Sequence, residues 1–435
     1  MNIPYTIGIV PLFLLSRHRG TSRLLFIGGT IGRRRNSPFS CNEENLLNNE
    51  HSIALKRLNP AWSGSLYYLF TFLSNGSYAP FIYVYFSELG LNGKQIGILS
   101  VLSPILTMLL SPMISSYVDR SHLRVKMLRI SLFCVAVLVY LLQFPTTFEE
   151  IALFMVFMAI FSSPVMSIAE ALIARMAQRD QLNYGGMRLW GSFGFAISAL
   201  GFGAIWQVWG FKPMFIIGSL LYLPVLILAG QLQEGPQFVH AQRKPALQML
   251  TDHGLLLLLI ATFFASVSNS LAMTYNGVYA RSLGSGNLLI GMITAFGAFA
   301  ELPIMFYSDR IAFRLKKVNG VLLAYLLMAL AFVGYVLVKN PVWLPLFSAV
   351  RGLGYGLWIT ITIRLVTHRT PAEWAATAQS LLTVCMFGMA PLVAGLFGGW
   401  IYDAISPAAV FILGIIALGS AITFLGWGSR RYEYQ

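Results

Sequence analysis

Four ionisable side chains stand where a long apolar chain has little use for them: Glu170, Arg188, Glu301 and Arg351. A carboxylate accepts hydroxyl protons and a guanidinium donates in a fixed fork, so Glu170 and Arg188, 18 positions apart, suit a clamp for a sugar or another polar ligand. The plain alternative is an interfacial salt bridge near Arg175 and Arg179. Glu301 and Arg351 lie inside apolar runs, at a depth where a charge is costly enough to be functional by default. Glu301 is the candidate proton carrier; its structural alternative is a protonated side chain bonded to a neighbouring helix. A fixed cation such as Arg351 suits a solute carboxylate. Asn75, Tyr78, Asn269, Tyr275 and Asn276 supply further polar lining, although each tyrosine could equally be a packing residue. No metal-ligand spacing, phosphate loop or nucleophile elbow accompanies them, so neither an enzyme nor a cofactor is expected, and an ATP-driven pump is disfavoured. Cys41, Cys134 and Cys385 form no disulfide or metal pattern.

The elements that hold these residues must be membrane helices. Of 435 residues 57% are hydrophobic and 11% charged, and the mean hydropathy is +0.69, too apolar for one water-soluble core. Apolar stretches of helical length begin near Trp62, Lys94, Met127, Ile151, Met187, Pro213, Leu255, Leu288, Val318, Val342, Ala375 and Pro407, six in each half. The expected class is all-α, and Pro80, Pro104, Pro112 and Pro164 are expected to kink helices without ending them. Residues 1–59 form a basic tail, read as disordered, with a transit peptide or a non-native extension as alternatives. Residues 60–232 and 253–428 are two six-helix bundles, 233–252 is the linker and 429–435 the tail.

Most of the 30 Lys and Arg residues fall on one side, and the other side holds only Lys94, Lys212, Arg281 and Lys339 among the loops. The positive-inside rule then puts both termini in the cytoplasm. The net charge of +14 is topological; it attracts anionic lipid and does not point to nucleic acid.

The halves repeat each other at an offset of 194. Ser74-Asn75 returns as Ser268-Asn269, Leu89-Gly90 as Leu283-Gly284, and Ile96-Gly97 as Ile290-Gly291. At an offset of 190, about one helical turn less, Asp119-Arg120 with Arg124 and Lys126 is matched by Asp309-Arg310 with Arg314 and Lys316. An acid beside a basic turn, twice at one spacing, makes a gating latch between rigid-body states. The single-copy alternative is plain positive-inside charge.

These loops resemble the motif of the major facilitator superfamily, with Ser115 and Leu123 where the family usually has glycine. Three stretches are similar to the oligosaccharide:proton symporters of the lactose permease type and to the phenylpropionate permeases. They are Gly76 to Phe81, Glu170 through Arg188 to Gly194, and Phe296 to Glu301. The resemblance implies a twelve-helix fold of two pseudo-symmetric bundles and alternating access by rocking. It also implies a solute clamp at Glu170 and Arg188, with Phe195 where the symporters stack a Trp on the sugar. Arg351 stands where that branch has a histidine, and Ser285 and Gly354 replace expected acids, so the family's proton relay is not carried over intact.

The resulting expectation is a secondary transporter of a small organic solute (sugar, nucleoside or organic acid), driven by a proton gradient as a symporter. It would work as a monomer in the plasma membrane, or in an organelle membrane if the tail is a transit peptide. The missing relay residues leave an exporter or uncoupled facilitator open. A non-transporting receptor or scaffold is the alternative of another class, and the lack of a sizeable soluble domain counts against it.

Overall fold

The computed structural model describes residues 58–121, 123–232, 249, 251–315, 317–371 and 374–432. The expected N-terminal tail lies outside the described residues apart from Leu58 and Asn59, as does most of the linker. The described residues pack as one unit.

Helices account for nearly all of the described chain, and no strand occurs among the described residues. The first half contains α1 (Pro60–Glu88), α2 (Gly93–Ser121), α3 (Arg124–Leu141), α4 (Phe148–Ser162), α5 (Val165–Arg179), α6 (Tyr184–Trp209), α7 (Met214–Leu220) and α8 (Tyr222–Ala229). The second contains α9 (His253–Ser282), α10 (Asn287–Leu315), α11 (Lys317–Leu337), α12 (Leu344–Arg369), α13 (Ala375–Thr383), a π turn (Val384–Met389), α14 (Ala390–Ala404) and α15 (Ala409–Arg431). The last helix therefore runs three residues beyond the expected end of its bundle.

Among the described residues nine spans are apolar and long enough to cross a bilayer on composition alone. The other three of the twelve are α1, diluted by Ser, Asn and Tyr; α3, only 18 residues long with Arg124, Lys126 and Arg129 in its first turns; and the α7–α8 pair. Pro80 stays inside α1, and Pro104 and Pro112 stay inside α2. Pro164 does more than expected. It separates α4 from α5, because it cannot donate the backbone bond that would join them, although Ser163 and Pro164 both keep right-handed helical angles.

Local chemistry explains the boundaries. Asn59 caps α1 with Pro60 at its first position, Thr147 and Glu150 form a capping box on α4, Asn183 caps α6, and Asp252 caps α9. The repeated glycines Gly90 and Gly284 follow α1 and α9 with φ of 93° and 85°, a left-handed conformation that side chains resist.

We call the face where α1 begins the basic face and the other the opposite face. At the opposite face the halves touch through backbone. A Cβ on Gly97 of α2 would lie 2.1 Å from the carbonyl oxygen of Gly395 on α14, and one on Gly291 of α10 would lie 2.3 Å from that of Ala199 on α6. Gly203 faces Gly291 at 3.0 Å by the same measure. Towards the basic face a cavity of about 420 Å³ opens between α2 and the α13–π segment, lined by Pro104, Thr107, Ser111, Gln379, Thr383 and Phe387. α2 thus touches the second half through backbone at one end and is separated from it by this cavity at the other.

Candidate functional site

Glu170 on α5 and Arg188 on α6 meet near the basic face. Arg188 Nη2 lies 3.1 Å from Glu170 Oε1, with the side chains 33% exposed for Glu170 and 54% for Arg188. This pair is open to solvent, so a solute can compete for both partners. Asn183 sets the start of α6 by accepting from Gly186 N at 3.0 Å, which fixes Arg188 one turn into the helix. Two tyrosines outside the expected site belong to this corner. The Tyr68 hydroxyl of α1 and the Tyr184 hydroxyl of α6 are 3.1 Å apart, and Tyr68 lies within electrostatic range of both charges of the pair. Phe195, two turns further along α6, is half-buried, and its carbonyl faces Gly76 of α1.

The second station lies in the other half. Arg351 of α12 is 5% exposed and donates from Nη1 to Asn269 Oδ1 of α9 at 2.6 Å. Its buried Nε has no hydrogen-bond partner, and no carboxylate pairs with Arg351 among the described residues. Glycines make room for it. Gly352 lets α12 approach the backbone of α10 at Gly297, and a Cβ on Gly297 would stand 2.9 Å from Ser348 Oγ and 3.3 Å from Arg351 Nη2. Ser348 Oγ is likewise buried without a partner. Glu301, one turn beyond Gly297 on α10, is half-buried and lies within electrostatic range of Arg351, with no ion pair or hydrogen bond of its own among the described residues.

Tyr355, one turn past Arg351, links the stations. Its hydroxyl senses the charges of Glu301, Arg351 and Arg188 together. Arg188 of one half and Arg351 of the other are thus both within electrostatic range of a single hydroxyl. Tyr68, Tyr184, Tyr355 and Ser348 were not among the residues expected from sequence; the signal was helical phase, three or four residues from Arg188 or Arg351 for the last three and seven from Asn75 for Tyr68.

The remaining residues divide. Asn276 is half-buried with its Oδ1 unpartnered. Asn75 turns into its own bundle, with Nδ2 donating to Thr71 O and Oδ1 accepting from Tyr78 Oη at 3.1 Å. Tyr78 is 5% exposed and its hydroxyl meets that of Tyr222 on α8 at 3.3 Å, so it packs inside the first half. Tyr275 is fully buried at the glycine crossing, where its hydroxyl donates to Gly395 O at 3.0 Å and its ring stacks on Tyr402. The side chains of Asp119, Arg120, Asp309 and Arg310 lie outside the described residues. Of the expected latch, Arg124 is buried and Arg314 exposed.

Among the described residues no cluster of His, Cys, Asp and Glu is arranged to hold a metal ion, and Cys134 and Cys385 are free thiols. The geometry suits reversible solute binding between two half-bundles.

Comparison with known proteins agrees with that geometry. The chain is 27% identical over 351 residues to the maltose permease of Geobacillus stearothermophilus, covering 80% of this chain and 89% of the permease. It is 26% identical over 377 residues to the uncharacterized transporter YwbF of Bacillus subtilis (strain 168), covering 85% and 93%. The solved structure of the nucleoside transporter NupG superimposes with a TM-score of 0.72 at 13% identity, over 87% of this chain and all of that one, a likeness of fold alone. A sequence model of the MFS_1 like family matches residues 61–413, and the chain belongs to that family of major facilitator transporters.

Proposed function

We propose that the protein is a proton-coupled symporter of a small organic solute, working by alternating access, with the basic face in the cytoplasm and the plasma membrane as its site. The observation that carries this reading is Arg351. A buried guanidinium with no carboxylate in contact, and only Glu301 within electrostatic range, is under-compensated in an apolar setting, and a solute carboxylate supplies a direct partner. The exposed Glu170–Arg188 pair, together with Tyr68 and Tyr355, then holds the polar remainder of the solute. An organic acid is thus the favoured class. The similarity to a maltose permease favours a sugar as the second reading.

Glu301 is the proposed proton carrier. It shares the space of Arg351 but is not tied to it, so its proton can be exchanged as the cavity turns from one face to the other. Symport follows if solute and proton are required together before the halves rock. The test is uptake of labelled sugars, nucleosides and aromatic acids by proteoliposomes with and without an imposed proton gradient. Glu301→Gln should abolish gradient-driven accumulation and retain solute exchange. Accumulation that is indifferent to the gradient in the unmodified protein would overturn proton coupling and leave a facilitator.

A further inference from the structure

On the opposite face each half caps a helix of the other. Asp403, in the last turn of α14, accepts from Gly93 N at 2.7 Å and from Lys94 N at 2.8 Å, one through each carboxylate oxygen. These are the first two residues of α2, whose N–H groups have no partner inside their own helix. At the matching corner Gln207, in the last turn of α6, accepts from Leu288 N of α10 at 3.2 Å. Lys94 and Leu288 are equivalent in the repeat, 194 positions apart, and the glycine crossings beneath them are equivalent too. The two corners share a geometry and differ in charge.

We infer that Asp403 is the charged latch of the opposite face, and that its twin at Gln207 is held by neutral bonds alone. A carboxylate that accepts two short bonds at a helix N-terminus meets both bare donors and the positive end of the helix dipole. The neutral Gln207 amide does neither as well, and its corner is completed by Asn287 Nδ2 of α10, which donates to Trp206 O of α6 at 2.8 Å. A third contact, Arg281 Nη2 to Glu88 Oε1 at 2.9 Å, joins the ends of α9 and α1, but it is partly exposed and correspondingly weak. Opening the opposite face returns Gly93 N, Lys94 N and the Asp403 carboxylate to water. The loss of these charge-assisted bonds therefore biases the resting protein towards the state with this face closed.

The experiment needs no solute, so its failure is separate from failure of the solute reading. Spin labels on Phe144→Cys and Lys339→Cys report the separation of the halves, since both positions are exposed on opposite-face connections, one in each half. Cys41, Cys134 and Cys385 are replaced by Ser, and the full chain is measured in lipid nanodiscs by pulsed electron resonance. Asp403→Asn keeps one acceptor oxygen and loses the charge; the ratio of short to long distances should fall about tenfold. Gln207→Glu should raise that ratio severalfold. Gly395→Leu, which forces α2 and α14 apart, calibrates the long-distance state. An unchanged distribution in Asp403→Asn while Gly395→Leu widens it overturns the proposal. So does a Gln207→Glu protein that opens, and this second variant keeps the test valid should Asp403→Asn fail to fold.

Discussion

Replacing Arg351 with Gln separates a solute-binding cation from a structural one by the sign of the stability change. In the solute-free protein Arg351 has one hydrogen bond, to Asn269 Oδ1, and no carboxylate partner among the described residues. Glu301 is within electrostatic range but makes no ion pair with it, so removing this poorly compensated buried charge costs little and the melting temperature of Arg351→Gln without solute should hold or rise. Gln can still donate to Asn269. Solute binding responds in the opposite sense. A carboxylate on Arg351 takes one or two charge-assisted bonds, each contributing roughly 1.5–3 kcal/mol, and Gln recovers only part of one. The net loss is about 3 kcal/mol, on the order of a hundredfold in affinity. The assay is thermal unfolding across a panel of anionic and neutral candidates, with uptake into proteoliposomes for those that stabilise. Unmodified protein should be stabilised by an anionic member and the variant should not. The reasoning fails if the variant unfolds several degrees lower without solute, which would make Arg351 a packing residue. It fails equally if the best stabiliser of the unmodified protein binds the variant within threefold.

Two further outcomes follow from the charge pairs. Glu170→Gln, Arg188→Gln and the double variant should show a coupling of no more than about 1 kcal/mol in unfolding, because the pair is solvent-exposed, yet each single variant should weaken solute uptake by tenfold or more. Equal effects on stability and uptake would count against a ligand clamp. Asp252 caps α9 by accepting from Gly254 N and Leu255 N and also takes two bonds from Arg369. Partial burial works to raise its pKa, but the Arg369 hydrogen bond and the backbone donors outweigh it and hold the carboxyl below its ordinary value. A depressed folded-state pKa gives stability that is full above the unfolded value, near 4, and is lost as pH falls through the folded one. Asp252→Asn should therefore destabilise by about 1 kcal/mol at neutral pH and progressively less below pH ~4, read as the difference in melting temperature between the two proteins.

The twelve-span order was legible because helical-length hydropathy survives local dilution, even in α1, where Ser, Asn and Tyr interrupt the apolar run. The repeated Gly97 and Gly291 were legible as well. Their partners Gly395 and Gly203 were not, since which helices cross is a property of packing between halves. Equivalence in the repeat also concealed a difference in role. Asn75 and Asn269 stand 194 apart, yet Asn75 accepts from Tyr78 inside its own bundle whereas Asn269 accepts from Arg351, because only the second half places a cation on the neighbouring helix.

Helical phase could have divided the lining residues of α9 from the sequence alone. At 3.6 residues per turn, Asn276 lies seven residues from Asn269 and returns to within about 20° of the same face. Tyr275, six residues away, points about 120° off it. The structure follows that division. Tyr275 reaches away to the carbonyl of Gly395, while Asn276 keeps an unpartnered oxygen. Loss of function therefore carries different meanings at the two adjacent positions. Tyr275→Phe removes one hydroxyl bond within the second half that fixes α14 where it crosses α2 at Gly97, and should shift the distance distribution between the halves with little effect on which solute binds. Asn276→Leu should leave that distribution unchanged and alter solute preference. If both variants change the same measurement, the α9 face is not divided between gate and cavity in this way.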